Sequence, residues 1–470
     1  MPDTSRDAAA GHGPGGYSLV YRFLRLFADV RPGEASKALL LALNIFLILL
    51  AYYLIKPVRE ALLLIDVKGP QMKAYLAGAQ AVLFIFVIKA FSRLASRVPR
   101  HVLIARTTLF IVSNILVFYA LHLMGTPLKT MGIVFFIWIG VVNYFVIAQF
   151  WGFANDLYTD ETGKRIFPLV AFGATLGAAF GSKIAGWLIR PIGVFNLMVL
   201  CGALFLVCIL LSRHIHHREV RAAREAPSGP PGSQATGPSI QEQPLRPGGG
   251  FRLVFSSRFL LYIALMIGIY NFINASGEYI ISDVSTKVAL KAIESGTAGG
   301  LTMVELSGKF FAEYQFLGNM LALVIQLFLV SRIFKWVGVG GALLFLPVIA
   351  LGGYGWVSFG ALLVVVKWVK ALENGTDYSL MNTTKAALFL VTSREEKYKA
   401  KAAIDTFFVR GGDALASLAV FVGTTYLALA IEKYAIINVV MVGFWLVLCV
   451  LIIREYKRQK VRKDTAASAA

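Results

Sequence analysis

Charged residues are scarce in this chain. Asp, Glu, Lys and Arg make up 15% of its 470 residues, whereas a soluble protein carries about 25%. Cysteine is scarce as well: Cys201, Cys208 and Cys449 lie in apolar runs, without the spacing of a disulfide framework or a metal site. With 57% hydrophobic residues, this composition excludes a water-soluble globular fold and indicates a membrane protein.

The chain is rich in long apolar runs. Runs long enough to cross a bilayer as helices recur along its whole length, so we predict an all-α membrane protein with twelve transmembrane helices. A cleavable signal peptide is not expected, because residues 1–16 are polar and rich in glycine. The predicted spans are 37–57, 72–92, 101–124, 131–156, 166–189, 193–212, 258–281, 311–331, 336–354, 357–380, 402–430 and 434–453.

Lys and Arg gather on one side of these spans, which explains the net charge of +20 without a nucleic-acid partner. The positive-inside rule places that side in the cytoplasm. We therefore expect a multi-pass protein of the cell inner membrane with both termini cytoplasmic. The basic segments on this side are 22–31, 93–106, 164–165, 213–224, 332–335, 394–401 and 454–463.

A single long linker divides the spans into six and six. Residues 214–257 are rich in Pro, Gly, Ser and Gln and cannot build a core. This 6+6 division is the layout of the major facilitator fold, whose halves rock around a site at the membrane midplane. The predicted parts are a tail (1–36), a first half (37–213), the linker, a second half (258–453) and a basic tail (454–470). We expect a monomer.

Ionisable side chains inside the spans are the candidate site, because they are costly at membrane depth unless they face a cavity or a partner. At the end of span one, Lys56 and Arg59 are one helical turn apart, beside Glu60, and Pro57 is expected to break or kink the helix. Two cations facing a cavity suit an anionic substrate. The alternative is that they extend to the outer interface and pair with Glu60.

Polar positions in other spans extend this set, and each has a structural alternative. Asn155 in span four and Asn274 and Glu278 in span seven fit either a substrate site or hydrogen bonds between helices. The glycines at 173, 177 and 181 of span five form a stripe that we interpret as a packing seam. Lys183, which follows this stripe, either reaches the cavity or extends to the membrane surface.

Span ten is the most polar, with cations and anions recurring every three or four residues. Such a stripe favours a cavity lining over a purely structural network of ion pairs. Its residues are Lys367, Lys370, Asn374, Asp377, Met381 and Lys385. In span eleven, Asp405 and Arg410 are candidates for ion pairing or coupling.

We find no residue pattern of an enzyme, a metal site or a cofactor site. His214, His216 and His217 lie at the mouth of the linker and favour a solvated segment over a metal site. No nucleophile with a partner base and no pair of catalytic carboxylates can be assembled from the sequence.

Two stretches resemble a known family. "FWGFANDLYTDETGKRIFPLVAFGATLGAAFGSK" (Phe150–Lys183) and "YSLMNTTKAALFLVTSREEKYKAKAAID" (Tyr378–Asp405) are similar to the ATP/ADP translocases of plastids and intracellular bacteria. The resemblance covers roughly residues 36–455 and implies a twelve-span antiporter that exchanges adenine nucleotides. It implies functional roles for Arg59, Lys183, Lys385 and Asp405.

The chain departs from that family at three places. The Glu-Leu-Trp-Gly before FWGFAN is replaced by "WIGVVNYFVIAQ", the family's Glu in span seven falls near Asn274, and its late LGKSGG reads "FVRGGDAL". We predict a transporter of an anionic nucleotide. The alternatives are a proton-coupled transporter of another organic anion, with Glu278 or Asp405 as proton site, and a lipid-handling or sensory protein that keeps the fold.

The candidate residues are therefore two sets. For substrate binding they are Lys56, Arg59, Asn155, Lys183, Asn274, Lys367, Lys370, Asp377 and Lys385, and for coupling or ion pairing they are Glu60, Glu278, Asp405 and Arg410.

Overall fold

A computed structural model describes residues 34–95, 98, 100–158, 160–225, 249–393 and 395–468. Within these ranges the chain is helical and contains no strand, as the recurrent apolar runs predict. Most of the predicted N-terminal tail and linker, with the basic residues Arg22, Arg25 and Arg31, lies outside the described residues.

The first half consists of long helices that follow the predicted spans closely. Helix α1 continues through Pro57 to Leu63, so the expected break is absent; a proline inside a membrane helix is tolerated where neighbouring groups satisfy the freed carbonyl. The helices are α1 (Ala35–Leu63), α2 (Gly69–Ala95), α3 (Arg100–Leu123), α4 (Leu128–Leu157) and α5 (Asp160–Glu225).

The second half is more interrupted, with short π-helical segments inside its spans. It comprises α6 (Gly250–Ser256), α7 (Arg258–Glu294), α8 (Met303–Val324), a π segment (Ile325–Leu329), α9 (Val330–Ala342), α10 (Phe345–Val357), α11 (Leu363–Thr376), a π segment (Asp377–Met381), α12 (Asn382–Leu388), a 3₁₀ turn (Phe389–Val391), a π segment (Glu396–Ala400), α13 (Lys401–Ala403), a π segment (Ile404–Phe408), α14 (Val409–Thr425) and α15 (Ile431–Ser468).

Nine helices of the described residues are long and apolar enough to cross a membrane. The longest, α5, is divided at Gly193, whose φ of 79° and ψ of 164° only glycine adopts readily. Its two segments correspond to predicted spans five and six. Predicted spans nine and ten correspond to the shorter helices α10 and α11–α12. The chain is a multi-pass membrane protein, and the count of twelve stays a prediction.

Most buried apolar residues of the described chain belong to two large clusters. One large cluster is built almost wholly from α1 to α5, and a second from α6 to α15. Each half therefore buries its own apolar side chains and has the packing of a separate unit.

The glycine stripe of α5 packs against α1. A Cβ added at Gly173, Gly177 or Gly181 would lie 2.7, 2.2 or 2.5 Å from a carbonyl oxygen of α1. Only residues without a Cβ allow this approach of two backbones, which is how small-residue seams join membrane helices. The seam fixes α1, and with it the charged residues near its end.

The two halves are joined by hydrogen bonds near the ends of α1 and the start of α2. Ser307 donates to the carbonyl oxygen of Leu64 (3.2 Å), and Ser417 to that of Ala74 (2.6 Å). By the predicted topology this is the outer end, and these bonds hold the halves together there.

Candidate functional site

A cavity of about 390 Å³ lies between the two halves. Its walls come from α1, α2 and α4 of the first half and from α7, α8, α11 and α14 of the second. Its charged lining residues are Lys56, Arg59, Glu60, Lys73, Glu278, Arg410 and Asp413. Polar and charged side chains thus converge at the interface of two separately packed units, which is the usual location of a ligand site.

The end of α1 supplies the first charged cluster of this cavity. Because the helix is continuous, Lys56 and Arg59 share a face and both line the cavity. The Arg59 guanidinium donates hydrogen bonds to Glu60 and lies 4.9 Å above the ring of Phe136. The two cations thus face a cavity, and one of them is paired with Glu60; their roles stay predictions.

Lys73 of α2 connects the two halves inside the cavity. Its Nζ lies 2.8 Å from Glu60 Oε2 and 3.3 Å from Glu278 Oε2, and it donates to Ser282 Oγ at 2.9 Å. Glu60 belongs to the first half, whereas Glu278 and Ser282 belong to the second. Lys73 thus forms an ion-pair bridge between the halves.

Glu278 is in turn held by the second half. Tyr314 donates to its Oε1 at 2.8 Å, and Asn374 donates to the Tyr314 hydroxyl at 2.6 Å. The interpretation of Glu278 as a residue of the site is thus consistent with its position, and the nearby Asn274 also lines the cavity.

Arg410 enters the cavity from α14. It pairs with Asp413 at 3.2 Å, and its guanidinium carbon lies 4.3 Å from the ring centre of Phe84, in the first half. The contact with Phe84 is a cation–π interaction, so Arg410 also connects the two halves.

The cavity has one more cation than carboxylate. Lys56, Arg59, Lys73 and Arg410 oppose Glu60, Glu278 and Asp413. In the described part of the chain Lys56 forms no ion pair; its Nζ lies 4.8 Å from the ring centre of Tyr53. Lys56 is therefore the cation most open to an incoming anion, and the arginines are available where an anion replaces their carboxylate partners.

Lys370 lies behind the cavity wall. It is 1% exposed, and its Nζ is 3.0 Å from Glu373 Oε2 and 2.9 Å from Asn274 Oδ1. Its contacts position Asn274, and it lies 4.0 Å from Glu278. Lys370 therefore holds a lining residue in place and does not itself line the cavity.

Of the other residues of the span-ten stripe, Asn374 lines the cavity, whereas Lys367, Asp377 and Lys385 do not. Lys367 pairs with Glu313 at 3.3 Å, and Asp377 pairs with Lys385 at 3.4 Å, all outside the lining of the cavity. The π segment at Asp377–Met381 takes about one residue more per turn than an α-helix, so the α-helical spacing assumed for the stripe loses its register there.

Three further candidates lie away from the cavity. Lys183 stacks on the rings of Phe316 (4.8 Å) and Trp187 (5.3 Å), Asn155 is exposed at the end of α4, and Asp405 pairs with Lys401 at an exposed position. No contact of these three residues tests their predicted roles, which stay predictions.

Two charged residues of the cavity, Lys73 and Asp413, are not among the residues predicted from the sequence. Lys73 stands one residue after the start of predicted span two and reads as a flanking charge, although its lone position in "GPQMKAYLAGAQAVLF" is a usable signal. Asp413 follows Gly411–Gly412 and is three residues from Arg410, the spacing of a helical ion pair.

Comparison with known proteins gives two similar carriers and no matching family model. The ADP,ATP carrier protein 2 of Chlamydia pneumoniae is 23% identical over 346 residues, which cover 65% of this chain and 62% of that carrier. The protein of the same name from Chlamydia trachomatis is 22% identical with the same coverage. The chain thus spans 62% of the length of these relatives.

Solved structures that share the fold include two transporters. A bacterial homologue of the human lysosomal transporter Spinster, inward-facing and unoccupied, gives a TM-score of 0.58 at 12% identity, covering 92% of this chain and 99% of the other. The nucleoside transporter NupG gives 0.56 at 14% identity, covering 90% and 99%. The fold is therefore that of major-facilitator-type transporters, as predicted, and the resemblance to ATP/ADP carriers is confirmed as a distant similarity.

Proposed function

We propose that this chain is a secondary transporter that exchanges anionic nucleotides by alternating access. The observation that carries the proposal is the cavity between the halves, to which both halves contribute cations. Phosphate groups need several cationic donors, and a site near the interface of two rigid halves is what a rocking mechanism requires.

The names of the relatives support this proposal. Both are called ADP,ATP carrier proteins, which favours nucleotide exchange over a proton-coupled transporter of another organic anion and over an enzyme. We further propose that the protein lies in the inner membrane as a monomer, with both termini in the cytoplasm and without a nucleic-acid partner.

In the proposed mechanism the anion first meets Lys56 and then competes with carboxylates for the arginines. A phosphate oxygen replaces Glu60 at Arg59, and another replaces Asp413 at Arg410. Without the anion, these cations stay paired, which keeps buried charge compensated. The exchange of one phosphate compound for another thus never leaves Arg59 or Arg410 without a partner.

The test is uptake of radiolabelled ATP into proteoliposomes with and without ADP inside. We expect uptake only with ADP trapped, and an Arg59→Ala variant to lower it about tenfold or more, since a charge-assisted hydrogen bond contributes about 1.5–3 kcal/mol. Lys129→Ala is the control, because Lys129 pairs with Asp66 at an exposed position outside the cavity. No uptake by folded protein, or full uptake by Arg59→Ala, contradicts the proposal.

A further inference from the structure

A second cavity, of about 710 Å³, adjoins the charged one. It lies toward the start of α5 and the end of α8, which the predicted topology places on the cytoplasmic side. Tyr53, Asn319 and Tyr378 line both cavities. The two spaces are thus contiguous, and these three side chains mark their boundary.

The two cavities differ in chemistry. The first contains seven charged side chains, whereas the residues that line the second include no charged one. The second is instead lined by rings, hydroxyls and amides, among them Phe172, Thr175, Gln326, Asn382 and Thr383. A nucleotide has the same division, with charged phosphates at one end and an uncharged base and ribose at the other.

The amides of Gln326 and Asn382 are open to a ligand. Both side chains are exposed, and neither forms a hydrogen bond within the described part of the chain. The hydroxyls of Thr175 and Thr383, by contrast, donate to their own helices, at 3.1 and 2.9 Å. An amide offers both donors and an acceptor, and Asn or Gln can form two hydrogen bonds with the edge of a nucleobase.

Tyr378 presents a ring at the boundary. Its side chain is 48% exposed, although the residue lies inside a span and between two cavities. An aromatic face open to a cavity is a platform on which any base can stack.

We propose that the uncharged cavity binds the base and ribose of the nucleotide while the phosphates lie in the charged cavity. Tyr378 stacks on the base, and Gln326 and Asn382 form hydrogen bonds with its edge. This inference rests on the proposed function. It assigns a binding site to the base and ribose, the part of the substrate that the charged cavity does not recognise.

The test compares binding of ATP with binding of inorganic tripolyphosphate to the full chain, by titration calorimetry. Tripolyphosphate carries the phosphates without the nucleoside. We expect Tyr378→Ala, and separately the double variant Gln326→Ala/Asn382→Ala, to weaken ATP binding about fivefold or more and to leave tripolyphosphate binding unchanged. Tyr378→Phe keeps the ring and should bind ATP within about twofold of the unchanged protein.

Asn114→Ala is the matched control, because the Asn114 amide lies outside both cavities and donates to Phe110 of its own helix at 2.7 Å. Equal loss of both ligands in the variants, or no loss of ATP binding, overturns the inference, as does equal affinity of the unchanged protein for the two ligands. Failure of the unchanged protein to bind either ligand overturns the proposed function as well, so the two failures are distinguishable.

Discussion

Lys370 and Glu373 form an ion pair that is almost fully shielded, at 1% and 0% exposure, with the Tyr354 hydroxyl also donating to Glu373 at 2.7 Å. Removing one partner of such a pair leaves an uncompensated buried charge. We expect Lys370→Met to lower the free energy of unfolding by about 3–5 kcal/mol, and Lys370→Met/Glu373→Gln to recover most of that loss. Thermal unfolding in detergent measures both effects.

Lys367→Met is the control for this prediction, one turn earlier on the same helix. Lys367 and its partner Glu313 are 26% and 50% exposed, and such a pair contributes less than about 1 kcal/mol. Equal destabilisation by the two lysine variants would contradict the role given to Lys370, because only one of the pairs is shielded.

At the residue scale, the sequence predicts a charged residue of the site only where a charge interrupts an apolar run. Lys56 and Arg59 interrupt an apolar run at the end of span one, and Glu278 lies in span seven. Charges at such positions require a partner or a cavity, and the structure places all three in the lining of the charged cavity. Lys73 stands at the edge of a span, where a cation costs little by itself. Its bridge to Glu60 and Glu278 depends on tertiary packing and has no signature in the local sequence.

At the scale of helices, the seam between α1 and α5 is the contact most sensitive to side-chain volume. A Cβ at position 177 would lie 2.2 Å from the carbonyl oxygen of Phe46, so the helices must separate to admit it. We expect Gly177→Ala to lower the free energy of unfolding by about 1–3 kcal/mol, measured by thermal unfolding.

The control for the seam is Gly352→Ala, in the middle of α10, where nothing lies within 4 Å of the added Cβ. Alanine in an open helical position stabilises by about 0.4–1 kcal/mol. An unchanged stability of Gly177→Ala would show that the two helices are not in close contact.

The seam was predictable because its glycines recur every four residues, the spacing of one helical face. The face of span ten was not predictable in the same way, because a π segment has no reliable pattern in the sequence. Such a segment shifts every later residue around the helix axis. Asp377 and Lys385 are therefore found in a pair of their own, although simple periodicity aligns them with Lys370.

At the scale of the molecule, the long polar linker predicts two halves, and two large apolar clusters form, one mainly on each side of the linker. The sequence cannot predict which end of the interface is closed, because the same residues must allow both states of a rocking transporter. In this structure the bonds from Ser307 and Ser417 join the halves at the predicted outer end.

A disulfide across that closed end tests the rocking motion directly. Gly186 of α5 and Ala312 of α8 belong to different halves, and a Cβ at Gly186 would lie 3.5 Å from that of Ala312, within the range of about 3.5–4.5 Å for disulfides. We expect oxidised Gly186→Cys/Ala312→Cys to lose nucleotide uptake and to regain it on reduction, because the halves can no longer separate there.

The control is Gly340→Cys/Ile453→Cys, where the two Cβ positions lie 3.8 Å apart within the second half. This variant should keep its uptake when oxidised. The three native cysteines are buried and so do not compete in the reaction. Full uptake by the cross-linked first pair would mean that transport does not require the halves to part at this end.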